Sequence, residues 1–234
     1  MHGCDIALMF GKAVLRIDAI EFNHDAITRY LGNNRCSANG GNNLITFPDC
    51  NIRNRKSFNG IPIGASRLVD DKLSPQNSGN QIASAISKAA AFNTKTNATG
   101  VFATVNPTIM TGASMSGTGA VTGTVNINGF TTPMINTVLD NPRDSRIAAV
   151  NAINFIAAQT GIRAIDSLTD SKGIMLVADD GRNIEVTFNT GSTDADFERL
   201  TGLKQGVQTG TFSLESMVET PVNITTATNG QSST

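Results

Sequence analysis

Asp179 and Asp180 stand side by side, and Asp194, Asp196 and Glu198 form a second acidic group a short way downstream. Paired carboxylates can divide the acid and base work of cleaving a glycosidic bond, and spaced oxygens can hold Ca2+. Both chemistries need more than nearness along the chain. A calcium loop wants several regularly spaced ligands. Asp180 is followed by Gly181, which makes it a hairpin-tip residue that tolerates left-handed backbone. The 194–198 group reads as a surface loop or a short helix start, and no aromatic platform of a sugar cleft accompanies either set. The two histidines, His2 and His24, have no partner motif that would make a serine triad. His24 falls on the apolar stripe of an expected helix, where a packed histidine is the ordinary reading. Cys4, Cys36 and Cys50 are an odd set confined to the amino-terminal segment. Cys36 and Cys50 could pair, but unpaired thiols suit the spacing better, and a Cys/His zinc site would need a long fold-back.

The glycine-rich stretch Gly112–Gly123, GASMSGTGAVTG, has no lysine and leads into a strand rather than a helix. It lacks the helix start that a phosphate site needs and reads as a flexible linker between modules. The basic run Arg53, Arg55, Lys56 likewise has no glycine cradle beside it. The metalloprotease, P-loop, nucleophile-elbow and EF-hand patterns are not found. The expectation is therefore not an enzyme: no catalytic, cofactor-binding or metal-ligating residue is assigned, and no cofactor is expected.

Bulk composition points the same way. The net charge is −1 with 16% charged residues, which leaves no basic footprint for nucleic acid or an anionic membrane. No apolar run reaches membrane-spanning length. In the opening MHGCDIALMFGKAVL, Asp5 interrupts the apolar run and the basic flank of a cleaved signal is missing. Aromatics are only 5%, with no Trp, so the expected cores are small and the strands and turns lie near water.

The elements that would position any site follow from turns and periodicity. NINGFTTPMI carries Asn128-Gly129 between two short arms, the strongest short-range hairpin signal, and FNGIPIG carries Asn59-Gly60 in the same setting. After the second turn, RIAAVNAINFIAAQTG places Ile147, Val150, Ile153 and Ala157 on one helical face, with Ala149 and Ile156 beside them. Asp144 or Ser145 is the expected N-cap, Pro142 argues against an earlier start, and Gly161 suits the position after the helix. IRAIDS reads as a short strand. GIMLVADDGRNIEVTF reads as two strands joined across Asp180-Gly181.

After the first turn and a longer polar loop, Ile82, Ala85, Ile86 and Ala89 share a helical face, and VFATVNPTIM reads as a strand. Laid on each other at a constant offset, Ile86 matches Ile147 and Ala89 matches Val150. Phe92 then matches Ile153, Asn93 matches Asn154, and Thr99-Gly100 matches Thr160-Gly161. Such internal similarity belongs to modular arrays more often than to active sites.

INGFTTPMI, AAVNAINFIAAQTGIRAI and GIMLVADDGRNIEVTF resemble the variable region of bacterial flagellin, with its hook IN repeat. TGLKQGVQTGTFSLESMVETPVNI resembles the stretch before the carboxy-terminal core of such flagellins. The resemblance runs from about residue 58 to residue 228 and is most specific at ADDGRNIEV. It implies a structural, extracellular motility protein of the bacterial flagellum, with neighbouring flagellin-like subunits as partners where core helices exist. It also implies modification of surface Ser and Thr. Asn97-Ala-Thr99 and Asn223-Ile-Thr225 additionally match the N-glycosylation acceptor. The long terminal helices that polymerise are not seen, so this chain is expected to be the outer region and not to form a filament alone.

The amino-terminal segment has no counterpart in the repeat. LRIDAIEFNHDAITRYLGNN is expected to be a helix striped by Ile17, Ile20, Ile27 and Leu31, and LITFPDC an edge strand. The expected architecture is α+β: two similar small modules, each one amphipathic helix packed on a mainly antiparallel sheet. Residues 1–57 are unassigned, 58–123 form the first module, and 124–234 form the second with a carboxy-terminal strand extension. The alternative function is a secreted adhesin, with polar loops in host or glycan contact.

Overall fold

The computed structural model describes residues 56–217, together with the backbone of strands at 6–9, 12–18 and 224–226. In chain order these are β1 (Ile6–Met9), β2 (Lys12–Asp18), β3 (Lys56–Phe58), β4 (Ile61–Pro62), α1 (Ala85–Asn93), α2 (Thr96–Thr99), β5 (Val101–Val105) and β6 (Thr108–Met110). There follow β7 (Thr122–Ile127), β8 (Phe130–Thr131), β9 (Ile135–Asn136), α3 (Pro142–Phe155), α4 (Ala157–Thr160), β10 (Arg163–Asp166) and β11 (Ile174–Ala178). Last come β12 (Ile184–Thr190), α5 (Asp194–Thr201), β13 (Gly206–Gln208), β14 (Thr211–Ser216) and β15 (Ile224–Thr226). The sheets run β1-β2-β14-β5, β10-β11-β6, β13-β12-β7-β8 with β9 also on β7, and β15-β3-β4. Every pairing is antiparallel. The protein is α+β, with a few helices laid on antiparallel strands.

Both Asn-Gly turns are two-residue hairpins. Asn59 and Gly60 have φ of 50° and 79°, and Asn128 and Gly129 have φ of 51° and 90°. Two successive positive φ values define the turn whose twist matches the flanking strands, and Asn followed by Gly adopts them at least cost. Phe58 pairs Ile61 across the first turn, and Ile127 pairs Phe130 across the second.

Four expectations are corrected. Asp180-Gly181 does not join a hairpin: β11 and β12 lie in different sheets. Gly181 N–H closes a turn on Ala178 O at 3.2 Å, but Asn183 is then drawn away, donating from its backbone to Ser74 Oγ at 2.8 Å and from its side chain to Asn80 O at 2.9 Å. The expected strand 101–110 is broken at Asn106-Pro107 into β5 and β6, which join different sheets. Pro107 has no N–H to carry a ladder across that point. α3 begins at Pro142, not after it: Asn141 is the N-cap and accepts from Asp144 N–H. Proline at the first helical position forfeits only an N–H that has no helical partner there. Leu15–Asp18, the start of the expected amino-terminal helix, lies in β2, where Leu15 faces Leu214 and Ile17 faces Phe212. Pairing with β14 outweighs local helical periodicity there. The rest of that helix with His24, the cysteines, Arg53, Arg55, the 44–50 strand and Asn223 lie outside the described residues.

Two clusters of buried side chains organise the chain. One gathers Phe58, Ala85, Ala89, Phe92, Val101, Ala103, Phe212 and Leu214 between α1 and the β14–β5 strands. Phe92 meets Phe58 edge-on at 4.7 Å and Phe212 at 5.4 Å between ring centroids, geometries that favour aromatic contact. The larger cluster, with Val125, Ile127, Ala149, Ile153, Leu176, Ile184 and Phe197, fills the space between α3, α5 and two sheets.

The same local bonding recurs in both. Asn93 donates to Ala103 O at 2.9 Å and accepts from Ala103 N–H at 2.8 Å. Asn154 does so with Ala164, at 3.1 and 2.8 Å. Thr99 Oγ1 accepts from Val101 N–H, and Thr160 Oγ1 from Ile162 N–H, each at 3.1 Å. Gly100 and Gly161 close α2 and α4 at φ of 67° and 71°. Each asparagine pins its helix to the strand that follows it.

Candidate interaction surface

Three of the carboxylates singled out by type, Asp179, Asp180 and Asp196, are taken up by local pairs. Arg163 donates to Asp179 at 2.9 Å, and its hydrogen bond holds that carboxyl below the usual range. Asp180 is paired with Arg182 at 2.5 Å. Burial alone would raise the Asp180 carboxyl, but hydrogen bonds from Arg182 outweigh it and the net shift is downward. Arg182 also donates to Thr160 O at 2.9 Å, capping the end of α4. Asp196 lies in the first turn of α5, where Thr193 is the N-cap. Hydrogen bonds from Thr193 and then Arg199 lower its carboxyl. Asp194 lies in that turn too, two residues before Asp196 and four before Glu198, whose carboxylate accepts from Gln205 N–H at 3.4 Å. Asp179 and Asp180 point to separate arginines, Arg163 and Arg182. No group of three or more His, Cys, Asp or Glu able to hold a metal is found among the described residues. No helix among them is long and apolar enough to cross a membrane.

The glycine-rich stretch is not a free linker. Ala113 N–H donates to Gly202 O at 3.1 Å, Met115 N–H to Asp170 O at 2.7 Å and Ser116 N–H to Arg199 O at 3.1 Å. Backbones cross so closely that a Cβ on Gly112 would lie 2.4 Å from Ile174 N, and one on Gly173 would lie 2.2 Å from Ala113 O. Glycine here serves close approach.

Composition and spacing did not point to Arg146. The expected apolar face of α3 included Ile147, which is 39% exposed, whereas Arg146 is 4% exposed. Its Nε donates to Asp166 at 2.7 Å, and its Nη1 donates to Asp170 and meets Met115 Sδ at 3.5 Å. Burial opposes the guanidinium's charge, but the bonds to Asp170 and Asp166 prevail and its pKa is raised. An arginine on a helix face offers no periodic signal, and its partners stand at the end of β10 and in the loop after it, 20 and 24 residues along the chain.

This clamp fixes the 166–170 loop. Leu168 at its tip has φ of 61° and is 80% exposed. Its N–H donates to Asp166 Oδ1 at 2.8 Å. Left-handed backbone costs a branched residue about 1–3 kcal/mol and persists where surroundings enforce it. The 138–141 turn is tied to α3 through Val138 N–H to Ser145 Oγ at 2.9 Å, and Val138 is 43% and Leu139 63% exposed. A shallow depression lined by Met115, Gly117, Val138, Pro142, Arg199 and Leu200 lies at the amino-terminal end of α3.

Fold and surface together define an α+β protein of small antiparallel sheets whose notable exposed features are held loops. No family model matches the chain. Over 119 residues it is 36% identical to Flagellin A of Helicobacter felis, a stretch covering 50% of this chain and 22% of that flagellin. The similarity supports a flagellin-like protein, and the chain spans well under two thirds of that relative's length.

Proposed function

We propose that this chain is a structural, outward-facing region of a flagellin-like filament subunit, extracellular and associated with neighbouring flagellin-like subunits where core helices exist. The similarity to Flagellin A carries the reading. The recurrence of the asparagine clamp, the threonine cap and the left-handed glycine supports a duplicated helix-on-sheet brick of the hook IN type. We further propose that each brick is built around one buried cluster, the first taking β5 and β14 and the second running from β6 to β13. The bricks act as spacers that display polar loops and the Leu168 surface.

Antibodies raised against the described region should decorate the sides of intact filaments from source cells in immunogold electron microscopy. Bare filaments beside labelled cytosol would overturn the reading.

A further inference from the structure

A buried polar seam runs where the 71–81 loop meets the 180–184 crossing. Asp71 and Asn183 are 0% exposed, Ser74 1% and Gln81 3%. Asp71 Oδ1 accepts from the N–H groups of Leu73 and Ser74, both at 2.9 Å. Ser74 Oγ accepts from Asn183 N–H at 2.8 Å, and Asn183 Nδ2 donates at 2.9 Å to the carbonyl of Asn80, the neighbour of Gln81. Single hydrogen bonds or peptide bonds thus link every member of the network.

Three oxygens in it have no hydrogen-bond partner: Asp71 Oδ2, Asn183 Oδ1 and Gln81 Oε1. The Asn183 amide cannot be turned over, because its oxygen would then face the Asn80 carbonyl. Among the described residues no basic side chain pairs with Asp71. A buried carboxylate oxygen without a donor or a cation is costly.

We propose that Asp71, Asn183 and Gln81 bind a small hard cation, Ca2+ or Na+, at the junction of the two cores. Carboxylate and amide carbonyl oxygens are the ligands such ions take. A single carboxylate among neutral oxygens makes the site one of modest affinity. The ion would tie the 71–81 loop, beside α1, to the segment that carries the chain from β11 to β12. This role is independent of the filament reading.

The test uses the full chain, treated with chelator and exchanged into choline chloride, then melted with CaCl2 or NaCl at matched ionic strength. Saturating ion should raise Tm by about 5 °C. A response to millimolar CaCl2 alone marks a divalent site, and a response to NaCl as well marks a monovalent one. Asp71→Asn keeps the oxygen that accepts from Leu73 and Ser74 and can place an amide donor toward the other acceptors. It should fold, melt in choline no lower than the parent, and lose the ion-dependent rise. Identical melts of the parent in all three salts would mean that water alone serves these oxygens, and would overturn the proposal. So would an undiminished rise in Asp71→Asn.

Discussion

Arg146 is 4% exposed, while Asp166 and Asp170 are 17% and 57% exposed. Its removal therefore leaves two carboxylates that water can reach, and the cost comes mainly from lost hydrogen bonds and a released loop. Arg146→Met should lower stability in urea by about 2 kcal/mol and speed proteolytic nicking between residues 166 and 173. Unchanged nicking would show that the loop keeps its shape without the arginine. Lys88 is the second buried base, 3% exposed, with Nζ donating to Ala83 O at 2.8 Å. Burial pushes its ammonium down to about 8. The unfolded value is about 10.4, so between these values the unfolded chain holds more protons and stability rises with pH. Below the folded value both states are charged and the penalty is full. Lys88→Met should thus gain about 1 kcal/mol at pH 7, with most of that advantage gone by pH 10, as read from melts at both pH values. Neither base could be found from apolar periodicity, which carries no signal for a buried cation.

The asparagine clamps make a helix and its strand one mechanical piece. Asn154 serves both the N–H and the C=O of Ala164, which is 6% exposed. Asn154→Ala leaves two backbone groups to find new partners and should cost about 2 kcal/mol. Asn154→Asp should fail to rescue, since a carboxylate cannot donate to the Ala164 carbonyl. Rescue by aspartate, measured as an equal urea midpoint, would reduce the clamp to its single bond from Ala164 N–H. Elements of this kind were readable in advance: the aligned asparagines, threonines and glycines, and both Asn-Gly turns, need only φ values and hydrogen bonds that reach no further than ten residues along the chain. Asp180-Gly181 looks like the same kind of signal and misleads, because Ser74 and Asn80 capture Asn183 from far along the chain. The flexible reading of 112–123 fails for a related reason. A glycine that permits motion and a glycine that permits contact are the same residue, and Gly173→Ala should tell them apart by costing more than about 3 kcal/mol or blocking folding.

The two cores differ in the length of chain that must be closed to form them. Every strand of the larger cluster lies between β6 and β13, whereas the smaller one needs β14 to return Phe212 and Leu214 beside β5. The β5–β14 pairing must therefore span the entire chain length of the other core, and long loops are closed at an entropic cost that local contacts do not carry. This long-range return is what no reading of turns and faces could supply, although the α+β character and the helix-on-strand units followed from them. A chain ending at Gln208 isolates the consequence. It keeps β13 on β12 and all buried members of the larger cluster, and it removes Phe212, against which Phe92 packs at 5.4 Å, together with the strand that β2 and β5 both pair. Hydrogen exchange should then show α3, β7, β11 and β12 still protected, with α1 and β5 exchanging at rates near those of the unfolded chain. Loss of protection throughout would mean that the cores stand or fall as one cooperative unit through the buried seam at Asn183. Retained protection in α1 would mean that the smaller core does not depend on β14 for its closure.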